Sequence, residues 1–232
     1  MKLATWNLGF AFGSFRKTHA EAWKYLREEI RPDLAFLQEV NPPELAAGED
    51  LVFQPVHRNW GTAIYTRGFP LRELRLRRYP RRVRRGRVTV ATVTVRSREL
   101  ALASIHAPVV MNEVHPHLDR IFDELESVLK DRSAIVAGDL NSARACEQVW
   151  PNSGHGPFFA RIESGPFVDC HWKFHRKEIQ TFFRKGTQLC LQDDHIFASP
   201  DMAKRFISCD VLDNKTTRRL SDHIPIVAEI NL

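Results

Sequence analysis

The stretch "AIVAGDLNSAR", residues 134–144, decides how the rest of the chain is read. Ala134-Ile135-Val136-Ala137 is a short apolar run of the kind that forms a buried strand. Asp139 and Asn141 follow where that strand should emerge. A carboxylate and a carboxamide at a strand end are turn residues when they stand alone. They become a site only if polar groups from elsewhere in the sequence reach the same rim.

Other candidate strands end in the same way. Strand one closes on Thr5-Trp6-Asn7, "DLAFLQEV" on Gln38-Glu39, and "ASIHAP" runs into His106 and Pro108. "QDDHIF" sets Asp193 and Asp194 before an apolar pair, and "LSDHIP" sets Asp222 and His223 before a final strand. "GTAIYT", "RVTVATVTVR" and "ELALASI" read as further strands, the middle one alternating with period two and so expected to be exposed on one face. "AIVAG", "DDHIFAS", "ISCDVL" and "IPIVAEINL" complete the strand candidates.

Two helices stand out. "THAEAWKYLREEIR" offers a capping box at Thr18 and Glu21, apolar Ala22, Leu26 and Ile30, and a stop at Pro32. "HLDRIFDELESVLK" carries one apolar stripe of Leu118, Ile121, Phe122, Leu125, Val128 and Leu129. Strands of both kinds with few helices imply an α/β protein with mixed sheets and helices outside.

With 232 residues, and no repeat or Gly/Ser linker, the chain is expected to form one domain over residues 1–232. No stretch approaches the ~20 apolar residues of a membrane span, and Met1–Trp6 runs into strand-like sequence without an export signal. Cys146, Cys170, Cys190 and Cys209 lie far apart without a C-x-x-C pair, as free thiols in a reducing, cytoplasmic setting would.

The net charge of +6 is concentrated: residues 72–87 hold nine Arg and one Glu, so the remainder is slightly acidic. Such a segment attracts a polyanion, which makes nucleic acid the first partner to consider, with Arg78, Arg81, Arg82, Arg84 and Arg85 as its contacts. The alternative is a solvated, charged edge hairpin that discourages sheet aggregation.

If the polar strand ends meet, Asn7, Glu39, Asp139, Asn141, Asp194 and Asp222 supply hard oxygen and hydrogen-bonding groups, with His106 and His223 beside them. That chemistry suits Mg²⁺, or Mn²⁺, better than zinc. Phosphoester hydrolysis needs this combination of a cation, an oriented water and groups that take and give protons.

In that order, "TWN", "LQEV", "IHAP", "GDLN", "DDHIF" and "SDHIP" resemble the endonuclease/exonuclease/phosphatase superfamily, in its deoxyribonuclease I-like form, from residue 4 to about residue 228. The resemblance implies a four-layered sandwich of two packed mixed β-sheets flanked by helices. It implies that Glu39 binds Mg²⁺ with Asn7 nearby and Asp222 helping, that Asp139 and Asn141 position water or phosphate, and that His223 faces the phosphate with Asp194 orienting it, which leaves Asp193 as a turn residue.

Two departures narrow the substrate. His106 stands where apurinic endonucleases of this kind carry a tyrosine, and Gly9 stands where they carry a second carboxylate. Both disfavour an abasic-site enzyme. In the deoxyribonuclease I-like pattern a glutamate orients the histidine; here Asn59 or Trp60 occupies the corresponding region. The expected activity is Mg²⁺-dependent hydrolysis of nucleic acid, DNA favoured, by an endonuclease or exonuclease acting as a monomer. The alternative is a phosphatase or phosphodiesterase for small-molecule, inositol or lipid-headgroup phosphates.

Overall fold

A computed structural model describes residues 1–11, 15–57, 59–76, 87–109, 115–183 and 191–232. Its frame is two six-stranded sheets. The first contains β1 (Lys2–Asn7), β2 (Leu34–Val40), β3 (Glu49–His57), β4 (Trp60–Arg67), β11 (Phe206–Val211) and β12 (Ile226–Ile230), in the order β11-β12-β1-β2-β4-β3. The second contains β5 (Leu71–Glu73), β6 (Val88–Val95), β7 (Arg98–His106), β8 (Ala134–Asp139), β9 (Val168–Asp169) and β10 (Asp194–Ala198), in the order β5-β6-β7-β8-β10-β9. Each sheet is mixed: a central parallel pair, β1 with β2 and β7 with β8, is flanked by antiparallel neighbours.

The alternation of side chains along each strand sorts them into three apolar layers. Leu3, Phe36, Leu102, Ile135, Ile196 and Ile226 fill the space between the sheets. Ala4, Trp6, Ala35 and Leu37 face outward onto α1 (His19–Tyr25), whose chain continues through a π-helical turn to Ile30. Ala103, Ile105 and Val136 face outward onto α2 (His115–Leu129), where Leu118, Ile121, Phe122, Leu125 and Leu129 form the expected stripe. Helix, sheet, sheet, helix is the four-layered α/β sandwich. Short helices α3 (Arg144–Val149), α4 (His155–Ser164), α5 (Cys170–His175), α6 (Pro200–Ala203) and α7 (Lys215–Leu220) fill the connections.

Three expectations need correction. The capping box of α1 does not form: the Thr18 hydroxyl donates to the Phe15 and Leu220 carbonyls, while Glu21 pairs with Arg219 at 2.7 Å. Docking against α7 outweighs the local cap. Strand β6 is buried on both faces rather than one, except at Thr94. Its alternating polar residue Thr89 points between the sheets, where its hydroxyl and that of Thr62 lie 2.7 Å apart, so a partner across the core removes the cost of burial. Asp193 is buried instead of forming a surface turn.

Cys146, Cys170 and Cys209 are free and buried, and Cys190 lies outside the described residues. Among the described residues, no helix is long and apolar enough to cross a membrane.

Candidate active site

The inter-sheet layer turns polar at one rim. In β1 the inward positions run Leu3, Thr5, Asn7; in β7 they run Leu102, Ser104, His106; in β8, Ile135, Ala137, Asp139. The two parallel pairs therefore deliver Asn7, His106 and Asp139 to the same space. Asn7 Nδ2 donates to Asp139 Oδ2 at 2.8 Å, bridging the sheets, and just beneath it Gln38 Nε2 donates to the Ser104 hydroxyl at 3.0 Å.

Alternation alone would send Glu39 outward, opposite Gln38. Instead β2 is bulged: its register against β4 shifts between Leu37 and Val40, both of which face the outer layer, and Glu39 takes a left-handed φ of 46°. The extra residue re-aims the Glu39 carboxylate into the rim. There Oε2 accepts from the Ala11 amide at 3.1 Å, and Oε1 lies 3.6 Å from His106 Nε2.

Asp139 is the hub of the cluster. Its Oδ1 accepts the Asn141 amide at 2.9 Å, and its Oδ2 lies 3.6 Å from His106 Nε2 and 3.8 Å from His223 Nε2. The Asn141 side chain donates to the Ala107 carbonyl at 2.9 Å. Across the rim, His223 Nδ1 meets Asp194 Oδ2 at 2.8 Å, while the Trp6 indole holds the His223 carbonyl and Phe182 packs on its ring with centroids 4.8 Å apart. Asp194, not Asp193, makes this contact because Asp194 shares the inward parity of Ile196 and Ala198.

Electrostatics follow from burial and from the crowding of like charge. Burial, opposed by His223 and reinforced by Asp139, pushes the Glu39 carboxyl up to about 7. Burial also pushes Asp193 up to about 7, with Asp139 adding to it. For His223, burial disfavours the cation, but Asp194 and Asp139 outweigh it and raise the imidazole well above its ordinary value. His106 moves the other way: burial, then the charges of Arg87 and His223, hold it well below.

Glu39, Asp139 and Asp222 line one cleft of about 670 Å³ together with His106, Asn141, His223, Arg87, Phe15, Val109 and Phe182. Among the described residues no three His, Cys, Asp or Glu side chains close into a ready-made chelate. Mg²⁺ does not need one, since it keeps several waters and takes one or two carboxylates plus substrate phosphate. A buried carboxyl raised to about 7 beside two other carboxylates is a donor set that fits such a cation and not a closed nitrogen and sulfur cage.

The sequence reading missed Arg87, which lines the cleft with its NH1 2.9 Å from His106 Nδ1. The signal was the hairpin: Arg96 and Ser97 form its two-residue turn with φ of 47° and 66°, Val95 pairs with Arg98, and Val88 with Ile105. Continuing that register sets Arg87 opposite His106. Trp60, one of the two partners considered for His106, packs near its ring with centroids 6.1 Å apart but makes no hydrogen bond to it. Phe15 and Phe182 were also not foreseen. The proposed nucleic-acid contacts Arg78, Arg81, Arg82, Arg84 and Arg85 lie outside the described residues.

No curated protein sequence matches the chain. Solved structures match in fold: an AP endonuclease from Archaeoglobus fulgidus at 19% identity and TM-score 0.76, covering all of both chains; a 3'-5' exonuclease from Neisseria meningitidis at 18% and 0.76, again covering all of both; and TDP2 from D. rerio complexed with a single-strand DNA product at 18% and 0.74, covering all of this chain and 99% of the other. The profile of the endonuclease/exonuclease/phosphatase family matches residues 4–223. The chain belongs to that family and is by class a phosphoester hydrolase.

Proposed function

We propose that the chain, acting as one catalytic unit over residues 1–232, is a Mg²⁺-dependent phosphodiesterase of nucleic acid, with DNA the favoured substrate and Mn²⁺ an acceptable substitute. The observation that carries the reading is the convergence of Asn7, Glu39, His106, Asp139 and His223 from both sheets on one cleft. The preference for a polyanion rests on the Arg-rich segment 72–87, whose last residue, Arg87, forms part of the cleft wall.

Glu39 would hold the cation, with Asn7 and Asp222 at its flanks. When bound, the cation neutralises charge developing on the phosphoryl oxygens. His223 takes the proton from the attacking water at Nε2. Asp194 holds Nδ1–H, which leaves Nε2 for the reaction, and stabilises the imidazolium that forms. Asp139 and Asn141 orient the water and a phosphate oxygen, and His106 Nε2 faces the leaving oxygen.

The test is a panel of supercoiled plasmid, single-stranded RNA, inositol phosphates and a chromogenic diester, each with Mg²⁺ and with chelator. Plasmid is cut with Mg²⁺ and spared by chelator, and Glu39→Ala, Asp139→Ala and His223→Ala abolish turnover while remaining folded. Supercoiled DNA and RNA left intact under every condition, with cleavage of the small esters, would replace this reading with that of a small-phosphate hydrolase.

A further inference from the structure

We propose that Arg87 is a positioning residue that holds His106 as the neutral tautomer with its proton on Nε2, so that His106 donates a hydrogen bond to a phosphate oxygen without giving up that proton. The inference deepens the proposed function and rests on it for the identity of the acceptor.

A guanidinium has five N–H donors, no acceptor, and no accessible deprotonated form. With Arg87 NH1 2.9 Å from His106 Nδ1, that nitrogen must present its lone pair. A neutral imidazole then carries its hydrogen on Nε2, and among the described residues two acceptors stand before Nε2: Glu39 Oε1 and Asp139 Oδ2, each at 3.6 Å. The donor behind the ring thus sets the tautomer, and the carboxylates in front lie on the side to which Nε2–H points.

The arrangement is built into the scaffold. Arg87 directly precedes β6, whose first residue Val88 pairs with Ile105, the residue before His106, and the Trp60 ring supports both, with the Arg87 Cζ 5.3 Å from its centroid. His106 is 3% exposed, so no water competes freely for Nδ1.

The chemical consequence separates this site from one in which a carboxylate backs the histidine. A carboxylate there accepts Nδ1–H and favours an imidazolium able to release its Nε2 proton. Behind an arginine, loss of the Nε2 proton would leave an imidazolate. His106 therefore stabilises charge on an oxygen as a fixed neutral donor.

The experiment uses the full chain labelled with ¹⁵N-histidine, free of metal at neutral pH, with His106 assigned by comparison with His106→Gln. Long-range ¹H–¹⁵N spectra should place His106 Nδ1 in the unprotonated range and Nε2 in the protonated range. Arg87→Glu, which puts an acceptor behind the ring, should move Nδ1 into the protonated range; Arg87→Lys, which can only donate, should preserve the parent pattern. A protonated Nδ1 in the parent, or an unchanged pattern in folded Arg87→Glu, overturns the proposal. If Arg87→Glu does not fold, the parent and Arg87→Lys spectra decide alone. A protein that hydrolyses no tested ester overturns the functional reading but leaves the spectra to decide the tautomer.

Discussion

Gly138, the glycine of the "GDLN" stretch, offers the sharpest test of how the scaffold sets the site. It pairs with Ile105 in the parallel β7–β8 ladder, one residue before the His106–Asp139 pair, and its φ is 147°. A Cβ added there would lie 2.0 Å from the Ile105 carbonyl oxygen, a backbone atom that cannot swing aside. Relief even to the tightest tolerated contact, near 3 Å, requires the two strands to part by about 1 Å. Overpacking of this kind costs ~1–3 kcal/mol, and holding a non-glycine residue at that φ costs ~1–3 kcal/mol more. A loss of about 4 kcal/mol in a chain of this length lowers Tm by roughly 8–16 °C. The same parting displaces His106 from Asp139, and a 1 Å misplacement costs on the order of 10²-fold in turnover. Gly48→Ala is the control, because Gly48 also has a positive φ, 81°, but no atom within 4 Å of the added Cβ. Thermal melts and steady-state kinetics of both variants separate the two costs. If Gly138→Ala melts within about 2 °C of the parent and turns over within about twofold, the close approach of these strands does not hold the site.

Asp194→Asn should lower kcat by ~10²–10⁴-fold with KM changed little, because the carboxylate at 2.8 Å fixes the His223 tautomer and stabilises its charge; a change confined to KM would contradict that role. Glu39→Gln should stabilise the metal-free protein while removing turnover. The Glu39 carboxyl titrates at about 7 in the fold against an ordinary 4.5, so its burial costs nothing below pH 4.5 and its full penalty, about 3 kcal/mol, above pH 7. Melts in chelator at pH 5 and 8 check this, and a Gln variant no more stable than the parent at pH 8 refutes it. Asp169 shows the opposite sign: burial raises it, but His195 and then Arg144 outweigh burial and hold it at about 2 against an ordinary 3.8. Its contribution of about 2 kcal/mol is present above pH 4 and lost as pH falls toward 2. Asp169→Asn should therefore flatten the acid limb of the stability curve.

Much of this protein was legible in its sequence because a strand's period of two is a local property. Apolar runs ending in polar residues announced both the strands and the rim, and the order of "TWN", "LQEV", "IHAP", "GDLN" and "SDHIP" gave the family. Only the tertiary structure decided what depends on neighbours. The resemblance already favoured Asp194 over Asp193, but that Asp193 is buried as well was set by the packing around it. The aim of Glu39 depends on a bulge that exists only against β4, and the burial of Thr89 on a hydroxyl in the other sheet. Arg87 behind His106 is a matter of ladder register. Composition marks that arginine as one charge among nine, whereas register makes it the group that determines where a proton sits, because hydrogen-bond direction is fixed by contact and not by content.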